Sequence, residues 1–236
     1  MPRSRLPLAL ALVIFAAVCI RLGVWQLDRL SERRAANALA ALRRDRPEVQ
    51  LPATIPADSL EGRRVKAVGR YDRSGELLLR GQVFAGVPGV VLVTPLQLNG
   101  ADTAVLVERG FVPSPDALSL PADSGLDEPG QVEVLGIAYT ADSGAGEPLT
   151  RNGRLSLRRM DFHAARARLS YPVLNVVIRQ TPDPALPSFP RRRPIPPLDE
   201  GPHLMYAIQW FAFALIGLGF GAVYLRKGRD QKATSR

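Results

Sequence analysis

The sequence predicts a membrane-anchored α+β protein in which two transmembrane helices flank an extracytoplasmic antiparallel β domain carrying one short helix. Three observations lead there. Apolar runs lie near both ends of the 236-residue chain, from Leu6 to Ile20 and from Leu204 to Leu225. Between them, short segments rich in Val, Leu and Tyr alternate with turn residues, which is the pattern of paired strands. One stretch of that middle region, Met160 to Leu169, instead has apolar residues at helical spacing.

The first anchor is assigned to residues 6–27. Leu6 to Ile20 covers only about 22 Å at 1.5 Å per residue, so the buried segment must run past Arg21 to Leu27. Met1-Pro-Arg-Ser-Arg5 before it resembles the charged start of a signal peptide, but no Ala-x-Ala follows, and Val18 before Cys19 does not suit lipoprotein cleavage. The segment therefore reads as a retained anchor. Arg21 must snorkel or find a partner, and Trp25, Asp28 and Glu32 share its helical face, offering a cation–π contact and acidic groups.

Residues 28–46 keep a helical composition rich in Ala, Leu and Arg, so the first helix is expected to continue into water as one rod. The β domain is assigned to residues 47–183. Leu51 to Pro56 is extended, and strands are expected at Arg63–Tyr71, Glu76–Arg80, Gly89–Leu98, Thr103–Phe111, Gln131–Tyr139 and Val173–Gln180. Asp72–Gly75 and Asn99–Asp102 are turn sequences, which predict antiparallel hairpins between neighbours. Pro113–Gly130 and Ala141–Pro148 read as exposed loops. Pro172 stops the short helix, and the simplest assembly is a twisted sheet or small open barrel with that helix closing one end.

Residues 184–202 form a Pro-rich linker containing Arg191-Arg192-Arg193. Its arginines are expected at lipid headgroups, with haem propionates as the alternative. The second anchor, 203–225, contains Leu204–Leu225, which has no charged residue and covers about 33 Å, enough for a hydrocarbon core of about 30 Å. At 100° per residue His203, Tyr206, Trp210, Gly217 and Gly221 fall on one side, placing polar rings above a small-xxx-small pair. A basic tail, 226–236, follows.

Composition narrows the chemistry. Cys19 is the one cysteine, which excludes internal disulfides and Cys-x-x-Cys metal sites. The net charge of +9 is arginine scattered along the chain without aromatic interleaving, so it points to anionic lipid and not to nucleic acid. No Gly-x-Ser-x-Gly, His-Glu-x-x-His or phosphate loop occurs, which argues against a hydrolase. Arg80, Arg109 and Asp72 fall at strand ends or turns and read as surface ion pairs, with the lining of a cleft as the alternative. Of the two histidines, His163 reads as a surface or partly packed group on the short helix, whereas His203 opens a membrane helix.

His203-Leu-x-Tyr-Ala-x-Gln-Trp-Phe together with Leu22-Gly23-x-Trp25-Gln26-Leu27-x-Arg29 resembles the surfeit locus protein 1 family of cytochrome oxidase assembly factors. Gly69-Arg-Tyr-Asp72, Gly86-x-x-Gly89 with Val93-Thr-Pro-Leu96, and Val105-Leu-Val-x-Arg-Gly-x-Val-Pro113 look like that family's middle blocks, in its order. Glu108 and Phe111 stand where the family usually has Asn and Trp. The resemblance implies a factor, performing no covalent reaction, that helps haem a reach the catalytic subunit of cytochrome c oxidase, with haem a synthase as a further partner. In that version His203 supplies one replaceable axial bond to the haem iron, and Tyr206, Trp210 and Trp25 supply aromatic walls. In the alternative the protein is a haem-independent scaffold holding an oxidase subunit, and His203, Tyr206 and Trp210 are an interfacial belt that sets helix depth.

Gln26 and Gln209, one in each anchor beside a Trp, are amides that need hydrogen bonds near hydrocarbon; they are expected to bond across the helix pair, for about 0.6 kcal/mol, or to reach a ligand. Arg3, Arg5 and the tail favour cytoplasmic termini, while Arg29, Arg33, Arg34 and Arg191–Arg193 oppose them, so charge leaves the orientation open. The resemblance implies a domain outside the cytoplasm, and the lack of a long Arg/Ser-rich presequence favours a bacterial plasma membrane.

Overall fold

The computed structural model describes residues 6–53, 55–121, 130–141, 147–151 and 153–233. Arg3 and Arg5, and the central parts of both expected loops, 122–129 and 142–146, lie outside the described residues. The chain divides into two units: residues 1–41 with 198–236, and residues 42–197.

The first unit is a helical pair. α1 (Leu6–Asp45) is unbroken over 40 residues, as expected for a rod without proline beyond its first turn, and its last four residues belong to the second unit. α3 (His203–Ala233) is the other helix. Both are long and apolar enough to cross a membrane. They run antiparallel: Gly221 lies against Leu12, Gly217 against Phe15, Ala214 clusters with Ala16 and Cys19, and Gly23 faces Phe211. The small side chains at this seam let the backbones approach, the usual way apolar helices associate in lipid.

Among the described residues the second unit has nine strands: β1 (Val49–Leu51), β2 (Arg64–Tyr71), β3 (Leu77–Phe84), β4 (Val87–Leu98), β5 (Ala104–Pro113), β6 (Gln131–Tyr139), β7 (Leu149–Arg151), β8 (Arg154–Leu157) and β9 (Val173–Gln180). A five-residue helix, α2 (Phe162–Arg166), precedes β9. The expected bounds of β6 and β9 hold, and β2 begins one residue later than expected. β1, β7 and β8, of three to four residues each, are additional to the expectation; so short a segment carries no alternation to read.

The barrel is closed and the sheet is mixed. β2, β6, β9, β5 and β4 pair in that order, and β4 pairs back onto β2 through Leu96–Leu98, completing a five-stranded ring. Most pairings are antiparallel as expected, but β1–β2, β3–β8 and β5–β9 are parallel. The Asn99–Asp102 turn does make a hairpin of β4 and β5. Asp72–Gly75 does not make one of β2 and β3: those strands follow one another along the same edge of β4, β2 at Leu96–Leu98 and β3 at Val87–Val93. The turn is a jog between them, pinned where the Asp72 N–H donates to the Pro95 carbonyl at 2.8 Å.

Two apolar layers result. Inside the ring Val65, Ala67, Leu96, Val105, Val107, Val134, Ala138, Val176 and Ile178 pack together, every ring strand contributing. On the other face Leu77, Val91, Val93, Leu106, Phe111, Leu155 and Val177 pack against Met160, Ala165 and Phe162. The short helix therefore covers a sheet face built on β3, β4, β5, β8 and β9. It is shorter than the expected Met160–Leu169: Asp161 caps its start, accepting from the N–H groups of His163 at 2.9 Å and Ala164 at 3.1 Å, and beyond Arg166 the chain tightens into turns in which Arg168 N–H donates to the Ala165 carbonyl and Leu169 N–H to that of Arg166.

Candidate functional site

The helix pair holds all six residues singled out in the sequence, and it uses them unequally. His203 is the first residue of α3, and its Nδ1 lies 2.8 Å from Oε1 of Gln26 on α1. Gln26 is 9% exposed and His203 is half-buried. An amide does bond across the pair, then, but Gln26 takes His203 as its partner; Gln209 is exposed. Trp210 packs into the seam against the Ala16, Cys19 and Ala214 cluster and meets Phe213 edge-on at 6.0 Å between centroids. Tyr206 and Trp25 are exposed on the outer surface of the pair.

The expected Arg21–Trp25 contact is replaced by Arg29, whose guanidinium sits 5.8 Å from the Trp25 ring and pairs with Glu32 at 2.8 Å. Arg21 is exposed and enters no ion pair among the described residues, which leaves it to snorkel. Beyond His203 the pair is clasped by polar contacts. Arg34 forks onto both carboxylate oxygens of Glu200 at 2.9 Å, and Asn37 donates to the Asp199 carbonyl at 3.0 Å. The fork holds the Glu200 carboxyl below its usual range.

The β unit contains two polar clusters that the sequence reading assigned to the surface or left without a role. Both lie at a bulge in β5. Leu92 pairs with Gly110 and Val93 with Glu108, so Arg109 is the extra residue and both charged side chains are buried, toward different layers. Glu108 accepts from Tyr139 Oη at 2.7 Å, Arg179 Nε at 3.1 Å and Arg193 Nη2. Burial opposes its charge, but Arg179 and Arg193 outweigh that and hold the carboxyl below the usual range. Arg109, 1% exposed, stacks over Tyr71 at 4.7 Å and lies 3.8 Å from Glu76, which also accepts from Arg154 at 3.1 Å and Thr94 at 3.2 Å.

Arg80 is likewise buried, donating to the carbonyls of Ser156 and Glu147. Asp72 accepts from Ser74 and Tyr171. The surface-ion-pair reading of Arg80 and Arg109 is thus corrected: Arg80 is buried on two carbonyls, and Arg109 is buried between the Tyr71 ring and the Glu76 carboxylate. Two adjacent charges inside the apolar strand Val105–Val112 were the available signal.

The arginine triplet is also fastened to the β unit. Phe111 and Arg191 exchange backbone hydrogen bonds at 2.8 Å in both directions, Arg192 reaches Gln180 at 3.1 Å, and Arg193 reaches Glu108. Gly110 permits this strap, since at its φ of +143° a Cβ would stand 2.6 Å from the Arg191 carbonyl oxygen. The expectation of lipid headgroups is therefore replaced, for Arg192 and Arg193, by protein acceptors. His163, as expected, is exposed; it lines an open cleft of about 600 Å³ with Asp58, Thr140, Phe162, Arg166 and Asn175. Among the described residues no group of three or more His, Cys, Asp or Glu is arranged to hold a metal ion.

Comparison with known proteins covers both units. A SURF1-like protein of Mycobacterium tuberculosis is 29% identical over 98% of this chain and 88% of its own length. A SURF1-like protein of Monosiga brevicollis is 28% identical over 94% of this chain and 88% of its own. Surfeit locus protein 1 of Takifugu rubripes is 31% identical over a shorter stretch, 56% of this chain and 61% of its own. The SURF1 family model matches residues 13–215, which takes in α1 from its second turn, the whole barrel, the arginine strap and the His203–Gln26 pair; the chain belongs to the SURF1 family.

Proposed function

We propose that this protein is a membrane-anchored assembly factor for cytochrome c oxidase that aids insertion of haem a into the catalytic subunit. Family membership supports the oxidase connection. The observation that favours haem handling is the single imidazole of His203, held at the start of an apolar helix by a buried amide. The donor set fits a group held by one bond, because His203 offers one imidazole nitrogen and Tyr206 and Trp25 are exposed aromatic surfaces on the same helix pair. Bound haem would supply an iron able to take that imidazole as an axial ligand. A single axial bond suits a factor that must release what it holds, and the protein performs no covalent step.

In this reading residues 6–27 and 203–225 span a bacterial plasma membrane with both termini in the cytoplasm, and residues 31–202 lie outside. The oxidase catalytic subunit and haem a synthase are the partners. The second reading, a scaffold for an oxidase subunit that touches no haem, is favoured by one observation: Tyr206, Gln209 and Trp25 stand exposed, as a helix-docking surface would.

A haem titration and an oxidase assay on His203→Ala and His203→Tyr separate the two. The haem reading expects lower haem content in both variants with membrane insertion unchanged. Equal haem content in wild type and both variants would leave the scaffold.

A further inference from the structure

His203 has a hydrogen-bond partner on one edge of its ring and, among the described residues, none on the other. Gln26 Oε1 stands 2.8 Å from Nδ1, and Gln26 is itself buried in the seam, one turn from Gly23 and one from Leu30. With its oxygen toward the ring, the Gln26 amide accepts and cannot donate at that atom, and a neutral imidazole facing it carries its proton on Nδ1. Nε2 then keeps its lone pair. That edge is left uncovered by Gly201, whose φ is +70° and where a Cβ would sit 3.4 Å from Cδ2 and 3.6 Å from Nε2 of His203. No hydrogen bond among the described residues engages Nε2.

We propose that Gln26 is the positioning residue for His203: its side-chain oxygen fixes the Nδ1–H tautomer and presents Nε2, bearing the lone pair, as the nitrogen available to a ligand. The arrangement is the one by which ligating histidines are generally held, with the remote ring N–H given to a carbonyl or carboxylate, which orients the ring. The consequence for haem rests on the reading in the preceding subsection; the tautomer stands independently of it.

The experiment uses the full chain in lipid nanodiscs with ¹⁵N-labelled histidine and His163→Gln, which leaves His203 as the one imidazole. At alkaline pH, ¹⁵N shifts report which ring nitrogen is protonated. The parent is expected to show Nδ1–H, Gln26→Glu to keep it because a carboxylate oxygen accepts equally, and Gln26→Leu to move the proton wholly or partly to Nε2. Hemin titrated into the same samples should bind Gln26→Leu about 10-fold more weakly than the parent, with Gln26→Glu rescuing it. An Nε2–H tautomer in the parent, or an unchanged tautomer in Gln26→Leu, overturns the proposal. A parent with Nδ1–H that gives no Soret shift with hemin overturns the haem reading and leaves the role of Gln26 standing.

Discussion

Arg193 donates to the buried carboxylate of Glu108 across 85 positions of sequence, and in doing so ties the segment that leads into α3 to the bulge of β5. Arg179 and Tyr139 complete the grip. Because the folded pKa of Glu108 lies below its unfolded value, its contribution is fully present above the unfolded pKa, about 4.3, and is lost as pH falls through the lower folded value. Glu108→Ala should cost about 3 kcal/mol near neutrality, less being expected where the two arginines recover water. The gap between wild-type and variant melting temperatures, followed by the β-sheet circular dichroism signal, should narrow below about pH 4. Parallel curves at every pH would exclude the assigned charge state.

The helix seam should tolerate added bulk unevenly. A Cβ at Gly23 would stand 2.7 Å from the Phe211 ring, one at Gly217 3.0 Å from Phe15, and one at Gly221 3.5 Å from Leu12. Substitution by Ala should therefore weaken helix association in the order Gly23, Gly217, Gly221, with Gly221→Ala nearly neutral. Cross-linking between cysteines placed on α1 and α3, in a chain with Cys19→Ala, reads the order directly; equal cross-linking in all three variants would remove close packing from the account.

Asp161 caps α2 with two backbone hydrogen bonds. Asp161→Ala should lower stability by about 1 kcal/mol, and Asp161→Asn should recover most of it. Urea titration of the three proteins in detergent tests this, and failure of Asn to recover stability would assign the effect to something other than the cap.

The topology proposed for the anchors is tested by alkaline phosphatase fusions. A fusion at Gly144 is expected to be active and one at Arg236 inactive. The reverse pattern would place the β unit in the cytoplasm.

The long elements were legible because each carries a period that its burial enforces: the apolar runs of α1 and α3, and the alternation in β6, where Val134 and Ala138 point into the ring. Strand pairing was less so. Nothing local in Asp72–Gly75 distinguishes a hairpin turn from a jog, since that depends on how far β4 extends past it. The buried charges were missed for a related reason. Arg109 keeps the inward parity of Val105 and Val107, but its charge reads as exposed until Tyr71 and Glu76 are placed against it, and Glu108 looks unpaired until residues from β6, β9 and the arginine strap arrive around it. At the helix pair the sequence marked His203 and both glutamines, but whether Gln26 meets the imidazole depends on the register of α1 against α3, in which Gly23 packs on Phe211.

The position of β9 between β5 and β6 also governs the order in which the molecule can be made. β5 and β6 are complete by Tyr139, yet neither pairs with the other; each waits for a strand that begins only at Val173. A nascent chain therefore carries two unpaired edges until nearly the whole domain has emerged, and its ring forms from distant segments, the slowest kind of closure. Any truncation before Val173 leaves that gap permanently open and removes α3 as well, so premature termination should yield an aggregating fragment in place of a shorter functional protein.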